Sequence, residues 1–115
     1  MDCIFCRIVA GALPAEVVRE DAATVAFRDV RPQAPTHVLV VPRVHLGSLD
    51  ELADPALAGA LLVAAAEVAR AEGLTRGWRL IANTGGDGGQ EVQHLHLHVL
   101  GGARLGRMLP ERRGH

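Results

Sequence analysis

The sequence predicts an α+β domain of five β-strands and two helices, and three stretches carry that prediction. Residues 93–100 read Gln-His-Leu-His-Leu-His-Val-Leu, and strict alternation of polar and apolar residues marks a half-buried strand, because successive side chains point to opposite faces. Residues 17–28 hold two short runs of strand formers, Val-Val-Arg-Glu and Thr-Val-Ala-Phe-Arg, separated by Asp21, Ala22 and Ala23, which reads as a hairpin. Between Asp54 and Gly73, Leu57, Leu61, Leu62, Ala65, Val68 and Ala69 form a stripe of period 3.6, which reads as a helix packed on a sheet. At 115 residues and 49% hydrophobic, the chain suits one globular domain with a real core.

Taken in order, the chain opens with Ile4, Phe5 and Ile8 at i, i+1 and i+4, the spacing of a short amphipathic helix stopped by Gly11 and by Pro14 beyond it. Cys3 and Cys6 share one face of that helix. After the hairpin, Pro32 and Pro35 exclude helix and make an extended connection. Residues 37–42 follow as a third strand, central because its apolar character is nearly continuous, and Pro42 ends it. Asp54 is the N-cap of the long helix, Pro55 its first residue and Gly73 its stop. Residues 77–83 make a fourth strand. Residues 84–91 then read Thr-Gly-Gly-Asp-Gly-Gly-Gln-Glu. Such a loop can aim backbone N–H groups at an anion, and it can equally serve as a flexible connection. The tail at 104–115 has four arginines and no periodic pattern, so it is expected to be mobile.

Net charge is −1, with 12 Lys and Arg against 13 Asp and Glu, and this balance offers no basic face for nucleic acid. A small-molecule partner is expected instead. The uncharged apolar run at 55–66 is shorter than the ~20 residues that span a bilayer, and Met1-Asp2 opens no secretory signal. No membrane association and a cytoplasmic location are therefore expected. Cys3 and Cys6 suggest free thiols or a metal site rather than a disulfide framework. His94, His96 and His98 line up on one face of their strand. Imidazole suits nucleophilic and proton-transfer chemistry near neutral pH, so the row can divide a reaction among its members. The bland alternative is a solvent face that happens to carry histidines.

Together these residues give the chain a close resemblance to the histidine triad (HIT) proteins of the nucleotide-binding Hint type. The matching segments are 3–8, 27–37, 41–45 and 83–102, the last holding His94-Leu-His-Leu-His-Val-Leu-Gly-Gly after an Asp-Gly-Gly-Gln loop. The resemblance implies a single HIT domain over 1–115, with an antiparallel five-stranded sheet and two helices. It implies a homodimer that joins two such sheets into one of ten strands. It further implies a purine nucleotide partner and hydrolysis of purine nucleoside 5'-phosphoramidates, of the adenosine 5'-phosphoramidate or aminoacyl-AMP type, to the monophosphate.

His96, the middle histidine, matches the family's nucleophile. A neutral imidazole attacks phosphorus and gives a labile nucleotidyl-histidine, so the other nitrogen of His96 is expected to donate to an acceptor, the backbone carbonyl of His94. His98 is placed to hydrogen-bond the phosphate or leaving group and help deliver the proton, and His37 supports the triad from the neighbouring strand. Asn83 and the backbone around Gly89, Gln90 and Glu91 match the phosphate contacts. Some relatives carry serine where this chain has Glu91, so its N–H is expected to contribute while its side chain turns outward. Asp29 matches the ribose-binding position. Ile4, Phe5, Ile8, Phe27 and Val30 match the base pocket, and plain core packing is an equal reading for each.

Cys3, Cys6, His45 and His94 match a structural Cys2His2 zinc site of some bacterial members; no organic cofactor is expected. Met108, Leu109 and Pro110 are the tail residues that would reach a partner subunit's site. Two rival functions are a dinucleoside polyphosphate hydrolase using His96 in the same way, and a nucleotide-binding interaction module with incidental turnover.

Overall fold

The computed structural model describes residues 3–110. Helix α1 (Ile4–Val9) starts at Cys3, whose Sγ accepts from the Cys6 N–H at 3.4 Å, and ends before Gly11 at φ +79°. Strands β1 (Val17–Glu20) and β2 (Thr24–Arg28) form the expected hairpin. Asp21 closes its turn by accepting from the N–H groups of Ala23 and Thr24 at 2.9 and 2.7 Å. β3 (Thr36–Pro42) is buried along its whole length. A single 3₁₀ turn (Leu49–Glu51), which the sequence pattern does not announce, precedes α2 (Pro55–Ala71). β4 (Trp78–Ala82) and β5 (Leu97–Gly101) complete a fully antiparallel sheet of order β1-β2-β3-β5-β4. The expected α+β fold of five strands and two helices is the one observed, with β3 at the centre.

Alternation along β3 divides the core in two. Val38 and Val40 face α2 together with Ala26, Leu97 and Val99, and α2 answers with Leu61, Ala64, Ala65, Val68 and Ala69. Leu39 and Val41 face the other way, where Phe5 of α1 packs with Val25 and Phe27. The alanines of α2 allow the close approach that a helix needs to cover a sheet. Asp54 caps it, accepting from the Ala56 N–H at 3.0 Å, and Gly73 ends it at φ +73°.

Two expectations need correction. Leu62 does not join the buried stripe but is 55% exposed, because at 100° per residue it sits on the flank of a face centred on Leu61, Ala65 and Val68. The strand expected over 93–100 begins only at Leu97. β5 pairs with β3 as far as Leu97 opposite Val40. Beyond that, Pro42 has no N–H to offer and its carbonyl is taken by His94 Nε2 at 3.0 Å, while the Leu95 N–H turns to Leu46 O at 2.7 Å. His94 and His96 therefore lie in the segment entering the strand. In the tail, Arg79 Nη2 donates to Gly106 O at 2.7 Å, Met108 and Leu109 are exposed, and residues 111–115 lie outside the described residues. No described helix is long and apolar enough to cross a membrane.

Candidate active site

The sheet face away from α2 carries the histidines. His98 on β5 lies opposite Leu39 of β3, and His37, two residues earlier on β3, is its diagonal neighbour. His37 Nε2 and His98 Nδ1 are 2.9 Å apart. The Gln33 N–H donates to His37 Nδ1 at 3.1 Å. A backbone N–H can only donate, so the proton of neutral His37 sits on Nε2 and is given to His98 Nδ1, which leaves the proton of His98 on Nε2. Burial, with the repulsion of His96 and His37 added and Asp29 opposing, pushes His98 down to about 4. Burial likewise lowers His37, opposed by Asp29. Both rings are thus neutral near pH 7.

His96 is oriented by a different contact. Its Nδ1 lies 2.7 Å from the His94 carbonyl oxygen, which can only accept, so Nδ1 carries a proton and the neutral form of the ring has its lone pair on Nε2. The ring is 4.9 Å from that of His98 and meets the edge of Phe5 at 5.1 Å.

These groups line a cleft of about 820 Å³. Ile4, Phe5, Ile8 and Phe27 form an apolar wall of it, with Leu13 and Pro14, and Val30 stands on the rim, 91% exposed. Phe5 and Phe27 therefore serve both readings, core and pocket wall, whereas Val30 belongs only to the rim. Asp29 also lines the cleft; its Oδ1 accepts from the Arg31 N–H at 2.8 Å. His96, His98, Asn83, Gly89 and Glu91 line it as well, with His96 directly against Phe5.

The glycine loop bordering the cleft is sterically determined. A Cβ on Gly88 would stand 2.2 Å from the Thr84 carbonyl oxygen, and Gly89 adopts φ +79°. Asn83 Nδ2 donates to Gly88 O at 2.7 Å. The structure corrects the expected role of Gln90, which does not line the cleft. Its N–H donates to Gly85 O at 3.0 Å, its Oε1 accepts from the Gly85 N–H at 3.1 Å, and its Nε2 donates to Gly47 O and Val92 O at 2.7 and 2.9 Å. Gln90 thus braces the loop. The N–H of Gly89 is also committed, to Gly86 O at 3.1 Å, whereas that of Glu91 has no protein acceptor among the described residues. The Glu91 side chain is exposed at the cleft's border.

Behind the triad, Cys3, Cys6, His45 and His94 converge, with their four ligand atoms all within 4.8 Å of one another. The two Nδ1 atoms are 3.2 Å apart, and the sulfurs lie 3.4 Å (Cys3 to His94), 3.2 Å (Cys6 to His45) and 3.5 Å (Cys6 to His94) from them. A tetrahedral zinc ion bound to two imidazoles and two thiolates sets these edges at about 3.3 and about 3.5 Å. His94 Nε2, which faces the Pro42 carbonyl, carries the ring's proton, so the Nδ1 lone pair points into the cluster. The residues fit the ion. Asp29, His37 and His98 form a second grouping of ligand types. Here the Gln33 N–H holds the proton of His37 on the very nitrogen that a metal would need, so this group is a hydrogen-bonded chain.

A model of the HIT domain matches residues 10–105. The chain belongs to the HIT domain family. Among HIT relatives, the purine nucleoside phosphoramidase of Escherichia coli K12 is 43% identical over 110 residues, covering 92% of each chain. The crystal structure of a HIT family hydrolase from Legionella pneumophila superposes with a TM-score of 0.88 at 46% identity, covering 91% of this chain and 96% of that one. A zinc-bound histidine triad family protein from Mycobacterium smegmatis has a TM-score of 0.82 at 35% identity, covering 99% and 84%. Leu13 and Pro14 in the cleft wall, and the Gln33 N–H on His37, are members of this site that no residue type in the sequence announces.

Proposed function

We propose that this HIT protein hydrolyses purine nucleoside 5'-phosphoramidates to the nucleoside monophosphate by two displacements at phosphorus. The observation that carries the reading is the tautomer of His96: its Nδ1–H is spent on the His94 carbonyl, so Nε2 presents a lone pair to the cleft. In the first displacement that lone pair forms a P–N bond as the bond to the leaving nitrogen breaks. The Nε2–H of His98 supplies the leaving nitrogen with a proton, and the cationic nucleotidyl-imidazole beside it balances the charge. In the second, water attacks phosphorus, returns a proton to His98 and releases His96. Asn83 and the Glu91 N–H meet the phosphoryl oxygens, Asp29 accepts from the ribose hydroxyls, and the apolar wall holds the base. The phosphoramidase name of the Escherichia coli relative supports this substrate class.

Zinc held by Cys3, Cys6, His45 and His94 is structural in this reading, since four protein ligands leave no open position for substrate. It ties α1, and with it the base wall, to the segment that carries His96. The homodimer forms through β4, whose outer edge has no strand beside it among the described residues and carries the partly exposed Trp78 and Leu80. Cysteine sulfurs kept as zinc ligands rather than joined in a disulfide fit a reducing, cytoplasmic location.

The test is chromatographic detection of AMP released from adenosine 5'-phosphoramidate, with diadenosine tetraphosphate beside it and the His96→Ala protein as control. Release from the phosphoramidate that disappears in the variant supports the reading. Faster turnover of the tetraphosphate favours the dinucleotide hydrolase, and AMP binding without turnover of either favours a binding module.

A further inference from the structure

Asp29 lines the cleft beside the imidazole pair of His37 and His98. Its Oδ1 is fixed by the Arg31 N–H at 2.8 Å, and its own N–H donates to the His37 carbonyl at 3.0 Å. Its Oδ2 lies 3.5 Å from His37 Nε2, the nitrogen whose proton goes to His98 at 2.9 Å. One proton therefore has two acceptors within reach, a neutral imidazole and a carboxylate. The His37 side chain is 1% exposed, so water offers it no third choice, whereas that of Asp29 is 21% exposed and open to a ligand.

We propose that Asp29 is a specificity-determining and positioning residue that couples sugar recognition to turnover through His37. A ligand whose vicinal hydroxyls occupy the carboxylate removes the competing acceptor, so the His37 proton is committed to His98 Nδ1. His98 is then locked with its Nε2–H toward the reacting phosphorus. When the diol is incomplete, Asp29 draws on the same proton and His98 is held less firmly. Sugar identity is read in kcat as well as in KM. This inference rests on the nucleotide-site reading above.

The experiment compares adenosine 5'-phosphoramidate with its 2'-deoxy counterpart on the wild-type, His37→Gln and Asp29→Asn proteins. For the wild type, loss of the hydroxyl is expected to lower kcat about fivefold, the scale of one hydrogen bond. In both variants the ribose-to-deoxyribose ratio of kcat is expected to fall to about one. In His37→Gln, which keeps the carboxylate, the ratio of KM is expected to persist. A wild-type effect confined to KM, or a kcat ratio unchanged in His37→Gln, overturns the inference.

Because His37 is buried and its variant can fail to fold, proton NMR of the ¹⁵N-histidine-labelled wild-type protein gives an independent answer. AMP is expected to protect the His37 Nε2–H resonance from exchange more than 2'-deoxy-AMP does, and equal protection by the two overturns the coupling. Diol-dependent protection without any phosphoramidate turnover would support the Asp29–His37 hydrogen-bond coupling while overturning both the proposed reaction and the effect on kcat.

Discussion

Replacing Gly88 by alanine tests how the loop before the triad shapes the phosphate contacts of the cleft. The new Cβ would lie 2.2 Å from the Thr84 carbonyl oxygen and 2.9 Å from its nitrogen, both backbone atoms that no rotamer change can move. Reaching the 3.4 Å of ordinary contact shifts the loop by about 1.2 Å. That shift breaks the 2.7 Å bond from Asn83 to Gly88 O and displaces the Glu91 N–H with it. A misplacement of about 1 Å costs about 100-fold in rate, or about 2.7 kcal/mol of transition-state stabilisation. The loop is largely exposed, so little core packing is lost and the melting midpoint is expected to fall by no more than about 4 °C. Gly86→Ala is the control, since its Cβ meets nothing within 4 Å. The assay is kcat/KM for AMP release alongside thermal melting. A Gly88→Ala protein within about threefold of wild type, or one no worse than Gly86→Ala, would refute the reasoning.

Metal analysis of protein purified without added zinc is expected to find one zinc per chain, and Cys6→Ser to lose it. The six-residue α1 is far below the ~12 residues that an isolated helix needs, so AMP affinity is expected to weaken with the metal; titration calorimetry checks this. Folding lowers the proton affinity of His98 and His37, so the unfolded chain takes up their protons first, and stability is expected to fall as pH drops from about 6.5 toward 4. Urea midpoints across that range should show a shallower slope in His98→Gln. Leu61→Ala is expected to cost about 3 kcal/mol in the core against α2, and Leu62→Ala about 0.5 kcal/mol or less. Denaturant unfolding separates the two.

Local rules made most of the fold legible. Asp54-Pro55 and Gly73 bracket α2 because capping and termination are local, and the alternation of 93–100 gives the correct faces because pleating is local. What escaped is long-range. No pattern within 93–100 says that the ladder stops at Leu97, since that depends on Pro42 and Leu46 on other segments. Leu62 passes for core because a stripe of Leu and Ala does not reveal where its centre lies. In the site, histidines and cysteines are chemically conspicuous and were found by type and resemblance. The backbone around Gln90 matches the phosphate contacts by resemblance, while its side-chain amide bonds Gly47, Gly85 and Val92, partners that no local pattern names. The Gln33 N–H, which sets the tautomer of His37, has no side-chain signature at all.

The central claim is that His96 Nε2 becomes covalently nucleotidylated. The most direct measurement mixes the wild-type protein with adenosine 5'-phosphoramidate, quenches in alkali within the first turnover, and reads the intact mass and the modified peptide. The account predicts a transient adduct of one adenylyl group on His96 that is absent from His96→Ala. AMP release at the wild-type rate with no adduct, or from the His96→Ala protein, would contradict it.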